Sequence, residues 1–246
     1  MSDYATSLGV QYLKATKHSR EEIFEKRREE IAPAEPFKQK QYEGAPVIEL
    51  PKVAPPDASL WKALRERRSV RKYRDGQMDL ETLSALIWAG QGITGRIGNY
   101  LLRTAPSAGA LYPIETYLCI NSVDGAPPGL YHFNVPFYHL ALLAEGDYGR
   151  ELGERAMGQP MCWRAQVVFV WSAIPRRTMA KYGSRGIRYI FLDAAHICQN
   201  VLLAAQSLGL GACPIGAFFD DEVNHLFGLD GEEETVIYLA SVGIPK

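Results

Sequence analysis

Apolar residues at Ile187, Ile190, Phe191, Ala194, Ile197, Cys198, Val201, Leu202, Ala205 and Leu208 recur at the i, i+3, i+4, i+7 spacing of one helical face. Leu192, Ala195, Leu203 and Ala204 add apolar groups off that stripe, while Asp193, His196, Gln199 and Asn200 keep a polar strip. The pattern predicts a helix buried on most sides, lying between layers or subunits and not in lipid. Gly209 and Gly211 are the residues expected where it stops, and 212–217 then offers backbone with little side-chain bulk. That stretch is either a seat for a flat ligand or an ordinary helix-to-strand connection.

Elsewhere the pattern predicts helix over residues 1–31, with a charged segment from Arg20 to Glu30, followed by a proline-rich linker from Ala32 to Pro56. A helix capped by Asp57 or Ser59 carries Leu60, Trp61 and Leu64 into a basic end, and another, capped by Asp79, runs through Leu83, Leu86 and Ile87. Gly90, Gly92, Gly95 and Gly98 then open a loop that ends in the small-residue stretch Ala105–Pro113. Strands are expected at 115–120, 130–133, 138–142, 165–173 and 235–242, the fourth apolar enough to be central. The whole reads as an α+β sandwich with helices around a mixed or antiparallel sheet, with an arm over 1–56 and a main domain over 57–246.

A hydrophobic content of 47% supplies a real core and excludes general disorder, and a net charge of −1 argues against a nucleic-acid role for the whole protein. Cys119, Cys162, Cys198 and Cys213 have neither disulfide nor metal-ligand spacing, and the five histidines form no metal set. His132 and His139 are expected as surface or cross-strand residues. No secretion signal or membrane span is evident, which places the protein in the cytoplasm. No GxxxxGK[ST] loop, no GxGxxG after a strand and no GxSxG elbow occurs, so neither a Rossmann domain nor a serine hydrolase is indicated.

Two clusters carry candidate chemistry. Five arginines and one lysine lie between Arg65 and Arg74. They make either a solvated helix end or a set of guanidinium forks for a phosphate, with Ser69 offering its hydroxyl to a polyol. Lys181 and Tyr182 form either a charged loop or an acid/base pair, since a desolvated lysine beside cations takes a proton near neutral pH.

Three ordered motifs, Arg67–Tyr73, Ala105–Pro113 and Gly209–Phe218, resemble the nitroreductase-like flavoproteins and, more narrowly, the SagB-type dehydrogenases that oxidise azolines in thiazole/oxazole-modified peptide pathways. The resemblance runs from about Tyr12 to Gly243. It implies an FMN-binding, intertwined homodimer with both sites at the subunit interface, and a cyclodehydratase as a further partner. Arg67, Arg68 and Arg71 would serve the flavin phosphate and pyrimidine edge, and Ser69 the ribityl chain. Pro106, Ser107 and Ala108 would reach the flavin from the partner subunit, Pro214, Ile215, Gly216 and Ala217 would lie at the ring, and Gln159 at its polar edge. Ala110, where many nitroreductases carry asparagine, and Gly216, where some carry an acid, fit the SagB-type branch, as does the Lys181–Tyr182 pair. The implied reaction takes a ring proton onto Lys181, with Tyr182 as helper, while hydride passes to FMN. The alternatives are an NAD(P)H-dependent nitro- or quinone-reductase and a flavin-binding partner without turnover.

Overall fold

The computed structural model describes residues 6–18, 20, 40–53, 57–98 and 100–246. In chain order, α1 (Leu8–Ala15) and β1 (Val47–Glu49) precede two capped helices. α2 (Leu60–Glu66) begins at Ser59, whose hydroxyl accepts from the Lys62 amide at 3.3 Å, and α3 (Leu80–Gln91) at Asp79, whose carboxylate accepts from the Thr82 amide at 2.6 Å. β2 (Ile93–Ile97), β3 (Tyr100–Arg103), β4 (Ile114–Ile120), β5 (Gly129–Asn134) and β6 (His139–Glu145) follow. Next come α4 (Gly149–Arg155), α5 (Met161–Arg164), β7 (Val167–Ala173), α6 (Pro175–Tyr182), α7 (Gly186–Ser207), β8 (Gly211–Ile215), α8 (Asp220–Leu226) and β9 (Thr235–Gly243).

Seven strands pair in the order β1-β6-β5-β4-β7-β9-β8, every pairing antiparallel. The central strands are apolar on both faces because the sheet has a core on each side. β4 turns Leu118 and Ile120 one way and Tyr117 and Cys119 the other, and β7 divides Phe169 and Trp171 from Val168 and Val170. α3 and α7 contribute Leu83, Leu86, Ile87, Ile190, Ile197 and Val201 to the first core. α4, α5 and α8 contribute Leu152, Cys162 and Val223 to the second. The fold is therefore α+β, a large antiparallel sheet flanked by helices. All four cysteines are buried free thiols.

Several expectations change. The glycine loop after α3 is a hairpin, β2 with β3, because residues 93–97 and 100–103 pair their backbones in register. The proline-rich linker contains β1, which adds to the edge of β6 with Val47 opposite Ala141 and Glu49 opposite His139. His132 is cross-strand but not at the surface: it is buried, with Nε2 2.9 Å from Glu115 on β4. α7 buries a single stripe, and Phe191 and Leu192 are each 55% exposed in the isolated chain. The predicted helix beyond residue 20, the charged segment 21–30 and the prolines of 31–39 and 54–56 lie outside the described residues. No helix among the described residues is long and apolar enough to cross a membrane.

Candidate active site

The basic cluster is not a helix end. α2 stops at Glu66, and residues 67–74 continue as an extended strap laid along β8 and the end of the chain. Ser69 bridges Ala212 in parallel, the Val70 amide donates to the Ala212 carbonyl at 2.9 Å, and the Arg74 amide donates to the Ile244 carbonyl at 2.9 Å. Gly211 permits this approach, since an added Cβ would lie 2.7 Å from the Val70 side chain. Tyr73 pins the strap from below: it is buried, and its hydroxyl donates to the Val70 carbonyl at 2.7 Å.

The strap sorts its arginines. Arg68 folds its guanidinium back onto the carbonyls of Arg65 at 3.0 Å and Arg67 at 2.7 Å, closing the end of α2. Arg67 and Arg71 make no ion pair among the described residues. Arg71 and Ser69 also act on Cys213: burial pushes its thiol up, against the pull of the Arg71 charge and a Ser69 hydrogen bond. Ser69 thus already has a partner in the chain.

The stretch 212–217 is for the most part the strand that follows α7. Gly211–Ile215 is strand, while Gly216 and Ala217 lie beyond it, exposed. A Cβ added to Gly216 meets nothing closer than the Tyr238 ring at 4.0 Å. Gln159 donates to the Ala217 carbonyl at 2.9 Å, so it holds this strip by its backbone.

A second group forms around the small-residue turn after β3. Ser107 donates its hydroxyl proton to Asp193 of α7 at 2.6 Å and accepts from the Tyr112 amide at 2.9 Å. The Ala108 amide donates to the other Asp193 oxygen at 3.3 Å. Pro106 is exposed just outside this clamp. The turn runs through left-handed backbone at Gly109 (φ 64°), Ala110 (φ 54°) and Tyr112 (φ 45°), and only the first of these is free of steric cost there. Asp193 is buried, and burial pushes its carboxyl up against the hydrogen bonds from Ser107 and Ala108.

Lys181 and Tyr182 reach the same turn. They occupy the last turn of α6 and not a loop, because Pro175 starts a helix that runs until Gly183. A Cβ on Gly109 would fall 2.7 Å from the Tyr182 hydroxyl and 2.8 Å from the Lys181 ammonium. The Tyr182 ring is set edge-on to Tyr189 at 4.9 Å. Lys181 is exposed in the isolated chain.

Beneath this group lies buried charge. Arg177, one turn before Lys181, donates to Glu115 at 2.5 Å and to the Tyr112 carbonyl at 3.2 Å. Burial alone would raise the Glu115 carboxyl, but the hydrogen bond from His132 and the Arg177 charge outweigh it and hold it at about 2. Arg103 stacks on Tyr112 with its guanidinium carbon 4.3 Å from the ring centre, and its buried Nε has no partner among the described residues. Asp193, Arg177 and Tyr112 are the site components that motif reading missed. The available signal was Asp193 itself, an acid set in a mostly apolar helix.

The nitroreductase family model matches residues 64–244, a span that includes the strap, the turn, the Lys–Tyr pair and the β8 strip. The chain belongs to the nitroreductase family. A Methanocaldococcus jannaschii protein named as a nitroreductase is 35% identical over 80% of this chain and 95% of its own length. The microcin B17-processing protein McbC of Escherichia coli is 28% identical over 52% of this chain and 49% of its own. Among solved structures, a nitroreductase from Anabaena variabilis superposes with a TM-score of 0.73 at 29% identity, covering 85% of this chain and 44% of that one. The E. coli microcin synthetase McbBCD complex with truncated pro-MccB17 bound superposes with a TM-score of 0.64 at 20% identity, covering 96% of this chain and 86% of that one. This nitroreductase-family chain thus spans nearly all of its archaeal relative and about half of McbC.

Proposed function

We propose that this nitroreductase-family oxidoreductase is FMN-dependent, belongs to the SagB-type branch, and oxidises an azoline ring to the azole. The observation that carries the reading is the convergence of Lys181 and Tyr182 on Gly109. Azoline oxidation needs a base and an adjacent hydrogen-bonding group, whereas nitro or quinone reduction calls for neither. Likeness to a microcin-processing protein supports the branch, and the fold shared with a synthetase complex supports a cyclodehydratase as partner.

Arg67 and Arg71 would hold the FMN phosphate and pyrimidine edge, with Arg68 in a lesser role, and Ser69 would face the ribityl chain. Pro214, Ile215, Gly216 and Ala217 would lie at the ring and Gln159 at its polar edge. Pro106, Ser107 and Ala108 would arrive from a second subunit. Bound FMN supplies the two-electron acceptor that the oxidation needs. Lys181 takes the ring proton at Nζ, and the Tyr182 hydroxyl positions that amine.

What one chain leaves open supports a homodimer. α2 packs on α7, and together they expose Leu60, Trp61, Leu64, Phe191 and Leu192, with Trp61 80% exposed. Such a patch suits an isologous interface. Residues 57–246 would be the flavin-binding unit, with 1–56 an N-terminal arm.

The archaeal relative's name favours a second reading, an NAD(P)H-dependent nitro- or quinone-reductase. One experiment separates them. FMN-loaded protein is given a thiazoline-bearing peptide without reductant, or NAD(P)H with a nitroaromatic. Loss of two hydrogens from the peptide by mass spectrometry supports azoline oxidation. Turnover only of the nitroaromatic favours the reductase, and turnover of neither favours a flavin-binding partner.

A further inference from the structure

Lys181 and Tyr182 have a neighbour, Gly109, and Gly109 lies in a turn of strained backbone. Its backbone is left-handed at three of four consecutive positions from Gly109 to Tyr112, two of them carrying side chains. Such non-glycine positions are strained and persist only where surrounding structure fixes them. Arg177 holds the Tyr112 carbonyl and the Ala110 amide bonds the Ser107 carbonyl, and the remaining ties at Ser107, Ala108 and the Tyr112 amide lead to one carboxylate. Asp193 takes the Ser107 hydroxyl on one oxygen and the Ala108 amide on the other, and Ser107 in turn takes the Tyr112 amide. Both ends of the strained segment are therefore tied to a single buried acid on the most regular helix of the fold.

The cost of placing Asp193 there needs a return. It is 5% exposed in an otherwise apolar stripe with Ile190, Ala194 and Ile197, where an alanine would pack without desolvating a charge. Packing does not account for an acid. What Asp193 does fix is the floor beneath Lys181 Nζ and Tyr182 Oη.

The geometry points to Asp193 as the positioning residue of the proton-handling pair: through Ser107 and Ala108 it holds the turn in the form that seats Gly109 against Lys181 and Tyr182. The inference rests on the reading of Lys181 and Tyr182 as that pair. Asp193 touches neither group and acts through the turn. Removing its carboxylate lets the 107–112 segment relax toward ordinary right-handed backbone, which carries Gly109 out from under both side chains at once.

The test uses the full-length protein and two readouts. Lysines are reductively methylated with 13C-labelled formaldehyde, and the Lys181 resonance is assigned by its loss in Lys181→Arg. In Asp193→Ala this resonance should move to the position of freely exposed lysines, and with the thiazoline peptide kcat should fall about 10- to 100-fold at little changed KM, the size expected for displaced reacting groups. Asp193→Asn, which keeps the shape and one acceptor, should fall between parent and Ala. Should Asp193→Ala fail to fold, Ser107→Ala breaks the same tie from the exposed side and is expected to shift the resonance likewise. A Lys181 resonance unmoved in both Asp193→Ala and Ser107→Ala overturns the inference, as does an unchanged kcat in a variant whose parent depends on Lys181. If instead Lys181→Ala converts the peptide at the parent rate while the resonance still moves in Asp193→Ala, the azoline reading fails and the positioning stands.

Discussion

Replacing Arg177 by Met should destabilise the protein and blunt its loss of stability in acid. Glu115 is 5% exposed and Arg177 16% exposed at their side chains, so solvent screens their pair little. The Glu115 carboxyl sits at about 2 against an ordinary 4.5. A depressed acid contributes stability that is fully present above its unfolded value and is lost as pH falls through its folded value. Here the window runs from 4.5 down to about 2. At ~1.4 kcal/mol for each pH unit, the drop comes to about 3 kcal/mol, shared between His132 and Arg177. Breaking a buried pair on one side costs roughly 3–5 kcal/mol, and the surviving His132 contact favours the lower end, about 3 kcal/mol. Glu115→Gln added to Arg177→Met should recover part of that loss, because the buried carboxylate left without Arg177 is removed, and the recovery is only partial because buried Arg103 loses the same negative charge. Denaturant midpoints measured near pH 7 and near pH 3 check both statements. An Arg177→Met protein within about 0.5 kcal/mol of the parent near pH 7, with the same acid sensitivity, would refute the reasoning.

Arg67→Ala and Arg71→Ala should each weaken FMN binding by about 1.5–3 kcal/mol, and Arg68→Ala by less, since its guanidinium already closes α2; fluorescence titration with FMN decides, and equal small effects in all three would return the cluster to solvated charge. Trp61→Glu combined with Phe191→Glu should turn a dimer into a monomer in light scattering, and a parent that is already monomeric when loaded with FMN contradicts the interface. Ala110→Gly should raise thermal stability slightly. Relief of left-handed strain is worth about 1–2 kcal/mol and the added unfolded-state freedom costs about 0.4–1 kcal/mol, so a lowered melting point would show that Ala110 is not strained.

How far the chain was legible depended on the range of the interactions. α7, α3 and the central strands announce themselves because burial imposes a period on consecutive residues, and the apolar run at Val167–Ala173 already implied cover on both faces. The motif turns were legible as small-residue stretches. What the strap does was not: charges from Arg65 to Arg74 suit a helix end, and only the Val70 to Ala212 hydrogen bond, between residues far apart in sequence, draws the segment out straight. Glu115, His132 and Arg177 come from three elements and show no local spacing. His132 read as a surface or cross-strand residue, and its burial was not legible because nothing nearby in sequence reveals its carboxylate. Asp193 was visible as part of a polar strip, but the turn it clamps lies 86 residues away along the chain.

The most direct measurement compares the parent, Lys181→Ala and Tyr182→Phe for conversion of a thiazoline-bearing peptide to the thiazole, with bound FMN quantified by its visible absorbance in the same samples. Base removal typically costs about 100- to 10,000-fold, so Lys181→Ala should slow conversion by that order, Tyr182→Phe by less, and both should keep FMN at the parent level. Variants that convert the peptide at the parent rate, or that lose the flavin together with the activity, contradict the assignment of Lys181 as the base and Tyr182 as its helper.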